Sequence, residues 1–89
     1  MTYNVEFTES AKKELKKLDK YTQKILLLWI KRNLDGCDNP KIHGKPLIAN
    51  RSGQWRYRIG DYRIIALIED EKLIILVISV GHRRDIYLK

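Results

Sequence analysis

The 89-residue chain has few of the residues that cross-link, break or anchor a fold. Its one cysteine, Cys37, can form no internal disulfide, and the cytoplasm is the expected compartment. One cysteine and two histidines also fall short of a convincing zinc site, and nothing in the sequence asks for a cofactor. The longest apolar runs, Ile25 to Ile30 and Leu73 to Ile78, are far too short to span a membrane. The opening MTYNVEFTES holds no apolar core of signal-peptide length. No repeat, low-complexity stretch or linker divides the chain, so residues 1–89 read as one small domain with room for a single two-layer core. Acidic residues are the remaining shortage. With 11 Asp and Glu against 18 Lys and Arg, the net charge is +7 and the pI near 9.7. Such a balance points to acidic partners, nucleic acid first among them, although many small basic proteins are merely basic.

The most informative stretch is Gln54 to Ile65, QWRYRIGDYRII. Two alternating runs flank Gly60-Asp61, a dipeptide suited to a two-residue hairpin turn. Neighbouring side chains of a strand point to opposite faces. Trp55, Tyr57, Ile59, Tyr62 and Ile64 therefore share an apolar-aromatic face, and Arg56, Arg58 and Arg63 share the other. A two-residue turn sets Arg58 directly opposite Arg63. Like charges across a ladder repel, by roughly 0.8 kcal/mol at about 5 Å in water. Either the guanidiniums splay apart on long solvated stems, or they form an anion site for which phosphate is the best-suited ligand.

Taken in order, Tyr3, Val5 and Phe7 alternate with polar residues as a short half-buried strand. Thr8 is an N-cap for a helix to about Leu18, with Ala11, Leu15 and Leu18 as its apolar stripe. Lys12, Lys13, Lys16, Lys17 and Lys20 surround the other faces, either as a solvated surface or as one that docks on a nucleic-acid backbone. Asp19 or Thr22 caps a second helix to about Leu34, and Gly36 is the expected C′ residue. That helix is apolar nearly all round from Ile25 to Ile30, so some of it either thickens the core or meets a partner. Cys37 to Asn50 reads as loop, with His43 a surface residue. The hairpin strands follow at 53–59 and 62–69, then a third strand at 73–80 whose run LIILVISV is apolar on both faces. The face carrying the arginines would then expose Ile65 and Leu67. The tail GHRRDIYLK adds His82, Arg83, Arg84 and Tyr87: a group able to titrate near neutrality, two fixed cations and a phenol.

The segments VEFTESAKKELKKLD, GKPLIANRSGQWRYRIGDYRIIALIED and VISVGHRRDIY resemble the RelE/ParE toxin superfamily, and within it the RelE-type messenger-RNA interferases. The resemblance covers nearly the whole chain in the family's order. It implies an α+β fold: one N-terminal strand at a sheet edge, a helical hairpin, a three-stranded antiparallel meander and a short C-terminal segment. It also implies a toxin of a type II toxin–antitoxin system, a ribosome-dependent endoribonuclease that cleaves mRNA in the A site and so inhibits translation. Its partners are then the ribosome, mRNA and a cognate RelB-like antitoxin that wraps the active face, with no membrane, metal or cofactor.

By that resemblance Arg58 and Arg63 match the cations at the scissile phosphate, and Arg56 an accompanying basic position. Arg83 matches the arginine near the leaving oxygen, Tyr87 the aromatic that stacks on a nucleotide, and His82 a basic position. The best-studied members carry lysine where this chain has Arg56 and Arg58. Arginine almost never gives up a proton, so Arg58 is a poor general base and His82 is the first choice for proton transfer. Lys12, Lys13 and Lys16 join Arg56, Arg58 and Arg63 as candidate RNA contacts. Two other functions stay open. One is a ParE-like poison of DNA gyrase without nuclease activity, and the other a basic RNA-binding module without chemistry.

Overall fold

A hydroxyl placed just before a helix takes over one of its orphan amides. In the computed structural model, which describes residues 1–47 and 53–86, Thr8 Oγ1 accepts from the Ala11 amide at 3.0 Å. Strand β1 (Asn4–Phe7) precedes this cap and helix α1 (Glu9–Lys16) follows it. The helix stops two residues before Leu18. There the Lys17 and Leu18 amides bond the carbonyls three residues back, Glu14 at 3.2 Å and Leu15 at 3.1 Å, tightening the last turn. Asp19 caps α2 (Lys20–Asn33), its carboxylate accepting from the Thr22 amide at 3.1 Å and the Thr22 hydroxyl at 2.6 Å. The Gln23 side chain donates to the Leu18 carbonyl at 2.7 Å and fixes the join between the helices. Gly36 lies two residues past the Leu34 cap, one later than C′, where its φ of 82° lets its amide reach the Tyr3 carbonyl at 2.8 Å.

The sheet has one strand more than the sequence suggests. After a 3₁₀ turn at Pro40–His43, β2 (Gly44–Pro46) pairs with β3 (Gln54–Ile59). A three-residue strand holding a glycine and a proline is too short to show alternation, and proline is tolerated at a sheet edge. Strands β4 (Tyr62–Glu69) and β5 (Ile74–His82) complete the order β1-β5-β4-β3-β2, with β1 parallel to β5 and every other pair antiparallel. A four-residue helix, α3 (Arg83–Ile86), follows. The α+β order is the expected one, with the first strand at an edge. Strand β5 begins at Ile74 because Leu73, at φ 55°, still belongs to the turn, and it runs on to His82. Ile65 pairs with Ser79 but Ala66 with Val77, so Ile78 is the extra residue of a bulge.

Both long helices pack on one face. Ala11, Leu15, Leu26, Ile30 and Leu34 meet Tyr57, Ile64, Ala66, Ile75, Val77 and Val80 there. Tyr57 is fully buried, its hydroxyl donates to the Pro40 carbonyl at 2.7 Å, and burial pushes its phenol pKa far up. On the other face, Ile65 is 4% exposed, against the expectation that it would lie open. Its cross-strand partner is Arg56 and Arg63 lies two residues along β4, so two long alkyl stems flank it. Within α2 only Leu26 and Ile30 are buried. Ile25, Leu27 and Leu28 stay 38%, 42% and 43% exposed, so they do not thicken the core.

Candidate functional site

The hairpin turn sets the site. Gly60 takes φ 59° while Asp61 stays at negative φ, the pattern of a type II′ turn. That turn closes the register at Ile59 with Tyr62 and puts Arg58 directly opposite Arg63. The two arginines differ in setting. Arg58 is exposed, whereas Arg63 is 3% exposed and its Nη1 donates to the Gly60 and Tyr62 carbonyls at 3.2 and 3.1 Å. Arg63 thus braces the turn and holds a permanent charge beneath the solvent-facing Arg58. Arg56, half-buried, lies two residues along the same face.

The tail is tied to the same turn. The Arg83 amide donates to the Asp61 carbonyl at 2.8 Å, so exposed Arg83 starts α3 at the end of the hairpin that carries Arg58 and Arg63. His82 sits differently. It pairs with Tyr62, itself paired with Ile59, and so shares the aromatic face, while Gly81 pairs with Arg63 on the arginine face. Its ring stands edge-on to Tyr62 at 5.5 Å, and its Nδ1 accepts from the Arg84 amide at 3.2 Å. That bond leaves Nε2 as the N–H nitrogen of the neutral ring and makes His82 a brace for α3. The apolar pattern of the sequence stops at Val80, whereas β5 continues for two residues that fix which way the ring points. Tyr87 lies outside the described residues.

Lys12, Lys13 and Lys16 are exposed on α1, in the helical layer across the sheet from Arg56, Arg58 and Arg63, so they form a second basic surface rather than an extension of the first. Lys12 pairs with Glu9 at 3.5 Å, a surface contact of little energetic weight. Lys12 and Lys16 instead border an apolar cleft of about 260 Å³ with Phe7, Leu15 and Leu27. A second cleft, of about 210 Å³, opens where β2 meets β3, lined by Ile42, His43, Gly44, Lys45, Arg56 and Arg58. His43 is exposed, as expected, but the sequence did not connect it and Lys45 with the arginines because β2 was not legible. Among the described residues no three His, Cys, Asp or Glu side chains converge as metal ligands. No helix there is long and apolar enough to cross a membrane.

This arrangement can bind and polarise an anion along one sheet face, with fixed cations at different depths. A family model described as the ParE toxin of the type II toxin–antitoxin system parDE matches residues 5–87. Toxin RelG of Mycobacterium tuberculosis is 35% identical over 88 residues, which cover 98% of each chain. A putative RelE-like toxin protein of Escherichia coli is 37% identical over 90 residues, 98% of this chain and 92% of that one. In the RelBE2 toxin–antitoxin complex of Mycobacterium tuberculosis the matching chain has a TM-score of 0.84 at 30% identity, over 96% of this chain and 95% of that one. A mutant Escherichia coli RelE in the free state gives 0.74 and 26%, over 99% and 93%. The chain therefore belongs to the RelE/ParE superfamily of type II toxin–antitoxin toxins, as a RelE-type member.

Proposed function

We propose that the chain is a ribosome-dependent endoribonuclease that cleaves mRNA in the A site and arrests translation. The observation that carries this reading is the Arg58–Arg63 cross-strand pair with Arg83 tied to the same turn. In the reaction the substrate 2′-oxygen bonds to the adjacent phosphorus and the bond from phosphorus to the 5′-oxygen breaks. The products are a 2′,3′-cyclic phosphate and a 5′-hydroxyl. One proton leaves the 2′-hydroxyl and one arrives on the 5′-oxygen. Arg58 meets the charge growing on the phosphoryl oxygens, and buried Arg63 adds its field from below without having to reorganise. Arg83 stands by the leaving 5′-oxygen, Arg56 holds backbone, and Tyr87 stacks on a base. His82, across the sheet, contributes by holding α3 and not by taking the 2′-proton. So small a set suits an enzyme whose substrate is pre-positioned by the ribosome, and such a partner fixes the cytoplasm as the compartment.

The exposed face of α2 supports an antitoxin partner. Leu27 and Leu28 lie in an apolar cleft of about 410 Å³ bordered by Lys20, Lys24 and Lys31. An amphipathic helix of acidic character, as a RelB-like antitoxin could supply, matches both its apolar floor and its charged rim. Related solved structures include toxin–antitoxin complexes, among them RelBE2 of Mycobacterium tuberculosis.

The description of the matching family favours a second reading, a ParE-like poison of DNA gyrase. Mapping transcript 5′ ends on translating ribosomes, after expressing the chain without a partner, separates the two. Codon-phased cuts that disappear in Arg58→Ala and Arg83→Ala support the ribonuclease. Intact messages with gyrase-linked DNA breaks refute it in favour of the poison. Intact messages without toxicity refute both.

A further inference from the structure

The arginine ladder does not end at the hairpin. Lys45 on β2 lies directly opposite Arg56 on β3, just as Arg58 lies opposite Arg63. Two like-charge pairs therefore occupy neighbouring positions of one sheet face, where each destabilises the ladder. The segment carrying Lys45 is held there by several independent contacts. Gly44 packs so closely that a Cβ would come within 2.8 Å of both the Arg56 carbonyl and the Tyr57 ring. The Tyr57 hydroxyl anchors Pro40 at 2.7 Å, the Leu47 amide bonds the Gln54 carbonyl at 3.0 Å, and His43 stands edge-on to Trp29 at 6.1 Å. The outcome is the cleft of about 210 Å³ that His43, Lys45, Arg56 and Arg58 line together with Ile42 and Gly44.

We infer that this cleft is a second anion subsite, taking the RNA backbone phosphate that flanks the linkage held at Arg58 and Arg63. Arg58 belongs to both groups, so a ligand filling one runs directly into the other. The Lys45–Arg56 pair is displaced from the Arg58–Arg63 pair by two residues of strand, about 7 Å, plus one strand spacing of about 5 Å. Regularly spaced phosphates suit two cation pairs repeated at that interval, whereas carboxylates on a peptide carry no such repeat. The inference rests on the proposed RNA-cleaving function but is tested without cleavage.

The probe is a fluorescein-labelled RNA hexanucleotide with 2′-O-methyl riboses, which cannot attack their own phosphates, bound to the purified chain without ribosomes. Anisotropy is followed over a range of NaCl concentrations. Lys45→Ala should weaken binding about 3- to 10-fold and make the slope of log K against log salt shallower by about 0.7, the single-strand value for one phosphate contact. Lys45→Arg should restore both, and Lys72→Ala, in the exposed turn between β4 and β5, should change neither. Gly44→Ala should weaken binding at least as much by lifting β2 from β3, with Lys45→Ala, on an exposed edge, as the variant that leaves the fold intact. No RNA binding at low salt overturns the inference. So does a Lys45→Ala slope equal to the parent's, an equal loss in Lys72→Ala, or Lys45-dependent binding of polyglutamate but not RNA. If the oligonucleotide result holds while ribosomes show no cleavage, the subsite stands and the proposed activity falls.

Discussion

Replacing Arg58 by glutamine should stabilise the protein while abolishing its proposed activity. Arg58 is exposed and faces Arg63, which is buried and bonded to two carbonyls of the turn. Two unit charges about 6 Å apart repel by about 0.7 kcal/mol at the dielectric of water, and at about 8 Å with an effective dielectric near 20 by about 2 kcal/mol. Because one partner is solvated, the lower part of that range applies, and a gain of about 1 kcal/mol is expected. With a urea m-value of about 1.5 kcal/mol/M, the midpoint rises by about 0.7 M. Urea is the right denaturant because it adds no ions. The gain should disappear in about 1 M NaCl, where the Debye length falls to about 3 Å. Arg63→Gln should have the opposite sign. It removes a buried donor to Gly60 and Tyr62, at about 1–3 kcal/mol for the pair of bonds. An Arg58→Gln protein that is less stable than the parent, or a gain indifferent to salt, refutes the claim that the pair is held together against its own repulsion.

Four other outcomes follow from the same geometry. Tyr57→Phe removes the donor to the buried Pro40 carbonyl and should lower stability by about 1–3 kcal/mol in urea titrations. Gly44→Ala forces a Cβ to 2.8 Å from backbone and ring and should cost about 1–3 kcal/mol, with amide exchange on β2 accelerated more than on β4. The hydrogen bonds from the Thr22 hydroxyl and amide hold Asp19 below the usual carboxylate range, so its contribution to stability is present above the unfolded pKa and is lost as pH falls through the lower folded one. Asp19→Asn keeps a cap acceptor and should flatten the acid-side fall of the melting temperature between neutral pH and about pH 3. Leu27→Asp and Leu28→Asp should each weaken binding of an acidic amphipathic partner helix by at least about tenfold in calorimetry, since central apolar anchors dominate such contacts. Both positions are nearly half exposed, so melting of the free chain should change little.

How much of this was legible depended on the length of each pattern. Gln54 to Ile65 carries a dozen residues of alternation around a glycine turn, and its register and faces came directly from that period. Thr8 and Asp19 were readable as caps because capping is local chemistry. Strand β2 was not, since Gly44, Lys45 and Pro46 span too few residues for a period, and their pairing depends on Tyr57 being buried beneath Gly44. The face of His82 was lost for a related reason. Side-chain direction at a strand end depends on where the strand stops, and Gly81 gave a false stop where the ladder with Tyr62 and Arg63 continues. The burial of Arg63 could not be read from alternation at all. Alternation assigned its face correctly, while the bonds to the turn carbonyls that help hold a guanidinium 3% exposed depend on the turn's own geometry.

These corrections change how the positive charge is understood. A count of 18 basic residues suggests one diffuse surface, yet among the described residues the sheet separates two basic clusters with different surroundings. On the helical side, Lys12, Lys16, Lys20, Lys24 and Lys31 border apolar clefts lined by Leu15, Leu27 and Leu28. On the open side, Arg56, Arg58, Arg63 and Lys45 lie opposite one another in two cross-strand pairs. Flexible lysines around an apolar floor favour a folded acidic partner, which covers the leucines and neutralises the rim together. Rigid guanidiniums in register favour a phosphate ladder, to which they can donate in forks. A surface shared between the two ligands would make them compete residue by residue. Separation across the sheet instead lets charge reversal on α2 weaken the partner without touching RNA affinity, and Lys45→Ala do the reverse. Equal losses of both ligands in both variants would mean that net charge alone, and not its arrangement, governs what this chain binds.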